Sequence, residues 1–145
     1  MTTIHIEMQP IISNLQTSSK LEGFICNSGL PTPYLAIDLD IVADNYQALA
    51  SQLPTTQIYY AVKANPAPEI LELLVKLGAR FDTASIPEIE QCLQAGALPE
   101  QLCFGNTIKK VKDIATAYQL GIRLFAFDSL QELEKIAIHA PQSRV

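Results

Sequence analysis

Four short apolar segments recur at a spacing of 22 residues, beginning at positions 58, 80, 102 and 124. Each is three to five residues long, which is typical of a buried strand. Between them, apolar residues recur at the three- and four-residue spacing of a helix, as at Ile70, Leu73 and Leu74. This alternation indicates an α/β fold with a parallel sheet, because a helical crossover brings the next strand alongside the last.

Residues with capping chemistry mark the ends of these predicted helices. Three glycines stand where a left-handed C-terminal cap is expected, at Gly78, Gly96 and Gly121. Ser85 has the spacing of a capping box with Glu88, and Ser129 has the same spacing with Glu132. Thr107 is expected to cap a further helix. The repeating unit is therefore a strand, a polar joint and a capped helix.

The first 30 residues differ from the rest, because they carry turn-forming residues with little periodicity. We expect them to form an irregular lead-in. Two prolines within residues 31–33 favour an extended backbone, and the apolar run 34–37 is then predicted to be a strand. Asp40 is expected to cap a helix that ends before Pro54.

Two architectures fit the alternating pattern. A doubly wound sheet would be complete at 145 residues, whereas an eight-stranded α/β barrel needs about 250 and would be about half built, with a fifth strand starting at Arg144. The constant spacing slightly favours the barrel. In both, ligands bind at the carboxyl ends of the strands. The polar residues expected at those ends are Lys63, Asn65, Asp82, Ser85, Asn106 and Asp128.

Lys63 directly follows the first regular strand and is the candidate nucleophile. An amine held against apolar walls loses its proton more easily, and it can then attack a carbonyl. The alternative is a lysine that extends from a strand end into water. The lysines on or beside helices, Lys109 among them, are expected to remain solvated.

Asp82 stands at the equivalent position of the next strand. Neighbouring strands of a sheet lie about 5 Å apart, so its carboxylate is expected to reach Lys63 or a group that Lys63 carries. The alternative is an aspartate that fixes a loop or caps a helix, as Asp128 would do at the matching place of the repeated joint.

Composition argues against several classes of partner. The net charge of -5 favours neither nucleic acid nor an anionic membrane, and no apolar run has the length of a membrane span. Three scattered cysteines and two histidines offer no metal site, and reduced cysteines favour the cytoplasm. The sequence has neither a dinucleotide fingerprint nor a phosphate loop.

Several short motifs resemble one enzyme family in matching order. They are YAVKANP at 60–66, FDTAS at 81–85, FGN at 104–106 with Lys109, and FDS at 127–129 with Glu132. Together they resemble the pyridoxal-phosphate-dependent decarboxylases of the ornithine/diaminopimelate/arginine class, and ornithine decarboxylases most of all. The resemblance extends from about residue 31 to residue 145.

This resemblance implies a partial (β/α)8 barrel of the alanine-racemase type, about its first half. Residues 1–39 would form a lead-in and a strand joining a second β domain, and 40–145 the amino-terminal part of the cofactor-binding barrel. Lys63 matches the lysine that holds pyridoxal 5'-phosphate as a Schiff base, and Asp82 matches an aspartate beside that linkage.

The resemblance also implies a reaction and partners. The substrate would be a basic amino acid, with ornithine converted to putrescine; lysine and diaminopimelate are alternatives, as is a non-catalytic regulatory relative. The family's phosphate and substrate sites come later in the chain than Val145. Activity would therefore need a homodimer or a complementing carboxyl-terminal chain.

Overall fold

The computed structural model describes residues 19–145, which divide into two compact units after Asp38. In the first unit, helix α1 (Ser19–Asn27) is followed by a segment without helix or strand. The predicted irregular lead-in is therefore wrong over α1, and its first 18 residues lie outside the described part of the chain. Residues 34–37 form no strand among the described residues, because no described segment pairs with them. The strand predicted here would join a second β domain, and it stays a prediction.

The second unit begins with helix α2 and contains the regular repeat. Its helices are α2 (Leu39–Gln52), α3 (Pro68–Lys76), α4 (Ile86–Gln94), α5 (Val111–Gln119) and α6 (Leu130–His139). Its strands are β1 (Tyr59–Ala61), β2 (Arg80–Thr83) and β3 (Leu102–Phe104). Short 3-10 turns at Val62–Ala64 and Pro99–Gln101 follow β1 and precede β3.

The strands form a parallel sheet in the order β1-β2-β3, the order in which they occur in the chain. The fourth predicted strand is reduced to single bridges: Phe125 pairs with Phe104, and Leu124 pairs with Arg144. The fifth strand expected at Arg144 is thus present as a bridge. The three strands and the two bridged segments lie side by side in chain order. A barrel keeps this order throughout, whereas the strand order of a doubly wound sheet reverses at its switch point. The partial barrel is confirmed.

The two faces of the sheet have different surroundings. Phe81, Leu102 and Phe104 point to one face and are buried in the apolar core, which the helices complete with Leu71 and Ile89 among other residues. On the opposite face, the register places Ala61, Asp82 and Cys103 side by side, and all three remain partly exposed. This second face corresponds to the interior of the barrel.

Most of the predicted helix ends are confirmed. Gly78, Gly96 and Gly121 have φ values of 82°, 95° and 93°, as a left-handed cap requires. The hydroxyl of Ser85 accepts a hydrogen bond from the Glu88 amide at 3.5 Å. The Glu88 carboxylate accepts from the Ala84 amide, one residue earlier than a capping box requires, so only the Ser85 half of this predicted box is confirmed.

Three further predicted caps differ from the structure. Helix α2 begins at Leu39, so Asp40 lies within its first turn, although its end before Pro54 is confirmed. Helix α5 begins at Val111 without a side-chain cap, so the cap predicted at Thr107 is wrong. The third case is the Ser129 capping box, of which only one half forms; its Glu132 binds two lysines instead, as described below.

None of the described helices, over residues 19–145, is both long enough and apolar enough to cross a membrane.

Within the described residues, the outer edge of β1 pairs with no strand. Unpaired strand edges recruit other chains. We therefore expect the 145-residue chain to self-associate at micromolar concentration, which sedimentation velocity over a dilution series will measure. A compact monomer at every concentration would contradict this expectation.

Candidate active site

Lys63 lies in the 3-10 turn that directly follows β1, as expected for a residue at the carboxyl end of a strand. Val62 anchors this turn with a fully buried side chain, whereas Lys63 is exposed on the surface of the described chain. The apolar walls expected around Lys63 are therefore not formed by residues 19–145. Within this part of the chain, its ammonium makes no hydrogen bond or ion pair.

Asp82 lies within β2 on the barrel-interior face, one strand away from β1. Partial burial raises the pKa of its carboxyl; the positive charge of Lys63 opposes this rise, and the negative charge of Glu88 adds to it. Lys63 and Asp82 therefore influence each other electrostatically. The exposed amine of Lys63 and the carboxylate of Asp82, which act on each other through charge, form the candidate site.

Gly105, which follows β3, leaves space for the Asp82 carboxylate. A methyl group on the Gly105 Cα would lie 1.8 Å from Asp82 Oδ1 and 2.8 Å from its Cγ. The Gly105 amide donates to the Thr83 carbonyl oxygen at 2.8 Å, so this backbone is tied to the end of β2. Because the carboxylate fills the space above Gly105, this glycine cannot cradle a phosphate.

The other residues predicted at strand ends have local structural tasks. The side-chain oxygen of Asn65 accepts from the Ala67 amide at 3.1 Å, at the start of α3. Ser85 caps α4. Asn106 and Asp128 are exposed. The backbone carbonyl oxygen of Asn106 accepts from the Lys109 ammonium, and the negative charge of Asp128 opposes the lowering of the Lys109 pKa by burial.

Lys109 was expected to be solvated, and this prediction is wrong. Its side chain is fully buried, and its ammonium donates to the carbonyl oxygens of Asn106 at 2.8 Å, Thr107 at 3.3 Å and Ala126 at 2.5 Å. The same ammonium lies 3.7 Å from Glu132 Oε2. A buried cation thus joins the loops that follow β3 and the fourth strand position.

Glu132 connects this cation to α6 and also pairs with Lys135. Burial lowers the pKa of Lys109, and the charge of Glu132 only partly offsets this effect. Burial raises the pKa of Glu132, but hydrogen bonds from Lys135 and the Lys109 amide, together with both ammonium charges, outweigh burial and lower its pKa. Sequence reasoning missed this cluster because each residue has a local explanation: a loop lysine and a capping glutamate.

The residues at the candidate site suit the aldehyde group and the positively charged ring of an aldehyde cofactor. Lys63 offers an accessible amine, and Asp82 offers a carboxylate for a positive centre. Gly105 offers no room for the cofactor's phosphate, since the Asp82 carboxylate already fills the space above this glycine.

Comparison with known proteins decides the family. Residues 39–145 match the family model of the pyridoxal-dependent decarboxylases, in its pyridoxal-binding domain. The chain belongs to this family. The resemblance found in the sequence motifs is confirmed, and so is the class of cofactor that it implied.

This chain spans less than half the length of each of the following relatives. A lysine/ornithine decarboxylase from Selenomonas ruminantium is 40% identical over 116 residues, which are 80% of this chain and 30% of that enzyme. The crystal structure of ornithine decarboxylase from Entamoeba histolytica matches with a TM-score of 0.80 and 32% identity, covering 87% of this chain and 41% of the other. Antizyme inhibitor 2 from Xenopus laevis is 32% identical over 112 residues, which are 77% of this chain and 25% of that protein.

Proposed function

We propose that this chain supplies the amino-terminal part of a pyridoxal-phosphate-dependent decarboxylase of basic amino acids. The observation that carries the proposal is the position of Lys63 directly after β1, where its charge acts on Asp82 of the neighbouring strand, inside a region that matches the pyridoxal-binding domain. A protein used only for docking has no physical need for an amine at this strand end with a carboxylate on the neighbouring strand.

Each residue has a distinct role in the proposal. When bound, pyridoxal phosphate withdraws electrons from the substrate's α-carbon as carbon dioxide leaves. Lys63 holds the cofactor through its amine, and Asp82 orients it by its negative charge. The pKa of Asp82 is raised by burial, but the charge of Lys63 opposes this rise and so favours the carboxylate that the role requires.

Ornithine is the proposed substrate, with putrescine as product. The support is the relatives' own activities, which are named as ornithine or as lysine and ornithine decarboxylation. Lysine is therefore the first alternative, followed by diaminopimelate. We propose further that the site is completed by a homodimer partner or by a carboxyl-terminal chain, because the described residues supply no phosphate site.

A chimera tests this function directly. Residues 39–145 replace the matching segment of the Selenomonas ruminantium enzyme, and the chimera is incubated with pyridoxal phosphate, reduced with borohydride and mapped by peptide mass spectrometry. The pyridoxyl label should be found on Lys63 and be absent from the Lys63→Ala variant. Label on Lys76, an exposed lysine at the end of α3, would contradict the proposal.

A non-catalytic relative is the second candidate, and the similarity to antizyme inhibitor 2 favours keeping it. The same chimera separates the two candidates. Covalent capture of the cofactor at Lys63 together with release of carbon dioxide from ornithine supports the enzyme. A folded chimera that neither captures the cofactor nor releases carbon dioxide would support the non-catalytic candidate.

The 145-residue chain by itself should bind pyridoxal phosphate weakly. Without a phosphate cradle, the cofactor loses the charge-assisted hydrogen bonds that anchor its most highly charged group. Absorbance titration should show no saturable site at micromolar cofactor, with the chimera as the positive control. Stoichiometric binding by the chain alone would mean that residues assigned here to structural tasks form the phosphate site.

A further inference from the structure

A side-chain hydrogen bond closes the turn that carries Lys63. The hydroxyl of Tyr60, in β1, donates to the carbonyl oxygen of Asn65 at 3.1 Å. The loop closed in this way contains residues 61–64, and Lys63 lies inside it. The side-chain oxygen of Asn65 then accepts from the Ala67 amide, so the same residue also fixes the start of α3.

The position of Lys63 depends on this turn because its side chain has no other attachment among the described residues. Its ammonium makes no hydrogen bond or ion pair there, and its interaction with Asp82 acts at longer range through charge. The 3-10 turn has no side-chain cap at its N-terminus. Val62 anchors one side of Lys63 by burial, and the Tyr60–Asn65 bond is the attachment on the other side.

We infer that Tyr60 is a positioning residue for Lys63: by closing the turn, its hydroxyl holds the cofactor-binding amine at the carboxyl end of β1. This inference rests on the proposed function of Lys63. The tyrosine is suited to the task because a phenol keeps its proton across the physiological range; burial raises the pKa of Tyr60 further. Its ring packs against the core, which limits where the hydroxyl can lie.

The neighbouring residue offers a matched control. Tyr59 lies on the same strand and points to the opposite face of the sheet, where its ring lies near the Arg80 guanidinium, 5.8 Å from carbon to ring centroid. Within the described residues its hydroxyl makes no hydrogen bond. Tyr60→Phe and Tyr59→Phe therefore remove the same atom from adjacent residues, and only the first removal opens the turn.

The first measurement is amide hydrogen exchange on the 145-residue chain. Tyr60→Phe should increase the exchange rates of residues 63–65 about fivefold, the change that corresponds to one neutral hydrogen bond. Tyr59→Phe should leave these rates unchanged. Equal rates in Tyr60→Phe and the parent chain, or equal increases in both variants, would overturn the inference without bearing on the proposed function.

The second measurement is cofactor affinity and borohydride capture in the chimera described above. Tyr60→Phe should weaken pyridoxal phosphate binding and lower capture at Lys63 about tenfold, because a displaced reactive group loses its alignment. Its denaturant midpoint should stay close to that of Tyr59→Phe, which separates positioning from general destabilisation. Faster exchange with unchanged capture at Lys63 would overturn the positioning role. Absence of capture in the unsubstituted chimera would instead refute the proposed function.

Discussion

Replacement of Lys63 by alanine should reduce decarboxylation by the chimera at least about a thousandfold. Alanine lacks the amine that links the cofactor covalently to the protein, and the other residues of the site cannot replace that link. Release of carbon dioxide from ornithine, lysine and diaminopimelate measures the loss. Lys76→Ala is the matched control, since Lys76 is an exposed lysine at the end of α3. It should retain full turnover.

Replacement of Asp82 should reduce turnover less than replacement of Lys63 does, and for a different reason. Asp82→Ala leaves Lys63 able to capture the cofactor but removes the charge that orients it, so the label should remain while turnover falls. Asp82→Asn, which keeps the shape of the side chain, separates loss of charge from loss of volume beside Gly105.

If Lys63→Ala decarboxylates any of the three amino acids as well as the parent does, the proposed mechanism is wrong although the fold stands.

Replacement of Lys109 by methionine should lower the free energy of unfolding of the 145-residue chain by about 3–5 kcal/mol. The loss has two sources. Three carbonyl oxygens, those of Asn106, Thr107 and Ala126, lose a common donor, and Glu132 loses one of its two cationic partners inside the protein. Chemical denaturation followed by circular dichroism measures the change.

Lys135→Met is the matched control for this prediction. Lys135 pairs with the same carboxylate, but its side chain is 31% exposed, so water can replace part of the interaction. The expected loss is about 1 kcal/mol. The double variant Lys109→Met/Glu132→Leu should recover part of the stability lost in Lys109→Met, because it no longer buries an underpaired charge. Equal losses for Lys109→Met and Lys135→Met would contradict the buried role of Lys109.

The sequence predicted the position of Lys63 correctly but not its surroundings. The motif around Lys63 located this residue at the end of a strand, and the structure places it in the turn directly after β1. The same reasoning enclosed it in apolar walls, which the described residues do not form. A sequence motif indicates which residue type stands at a strand end, whereas enclosure depends on every other segment that covers that end.

Local patterns alone determined the order and spacing of strands and helices, the left-handed glycines and the family. Such features depend on residues within a few positions of one another: a glycine at the end of a helix, or a serine three residues before a glutamate. The tertiary structure decided the rest. The run 34–37 forms no strand in the described chain because it finds no partner there. Glu132 completes no capping box because Lys109, 23 residues away in the sequence, and Lys135 bind its carboxylate. Burial and charge pairing follow from segments that only the folded sheet brings together, and no local pattern contains that information.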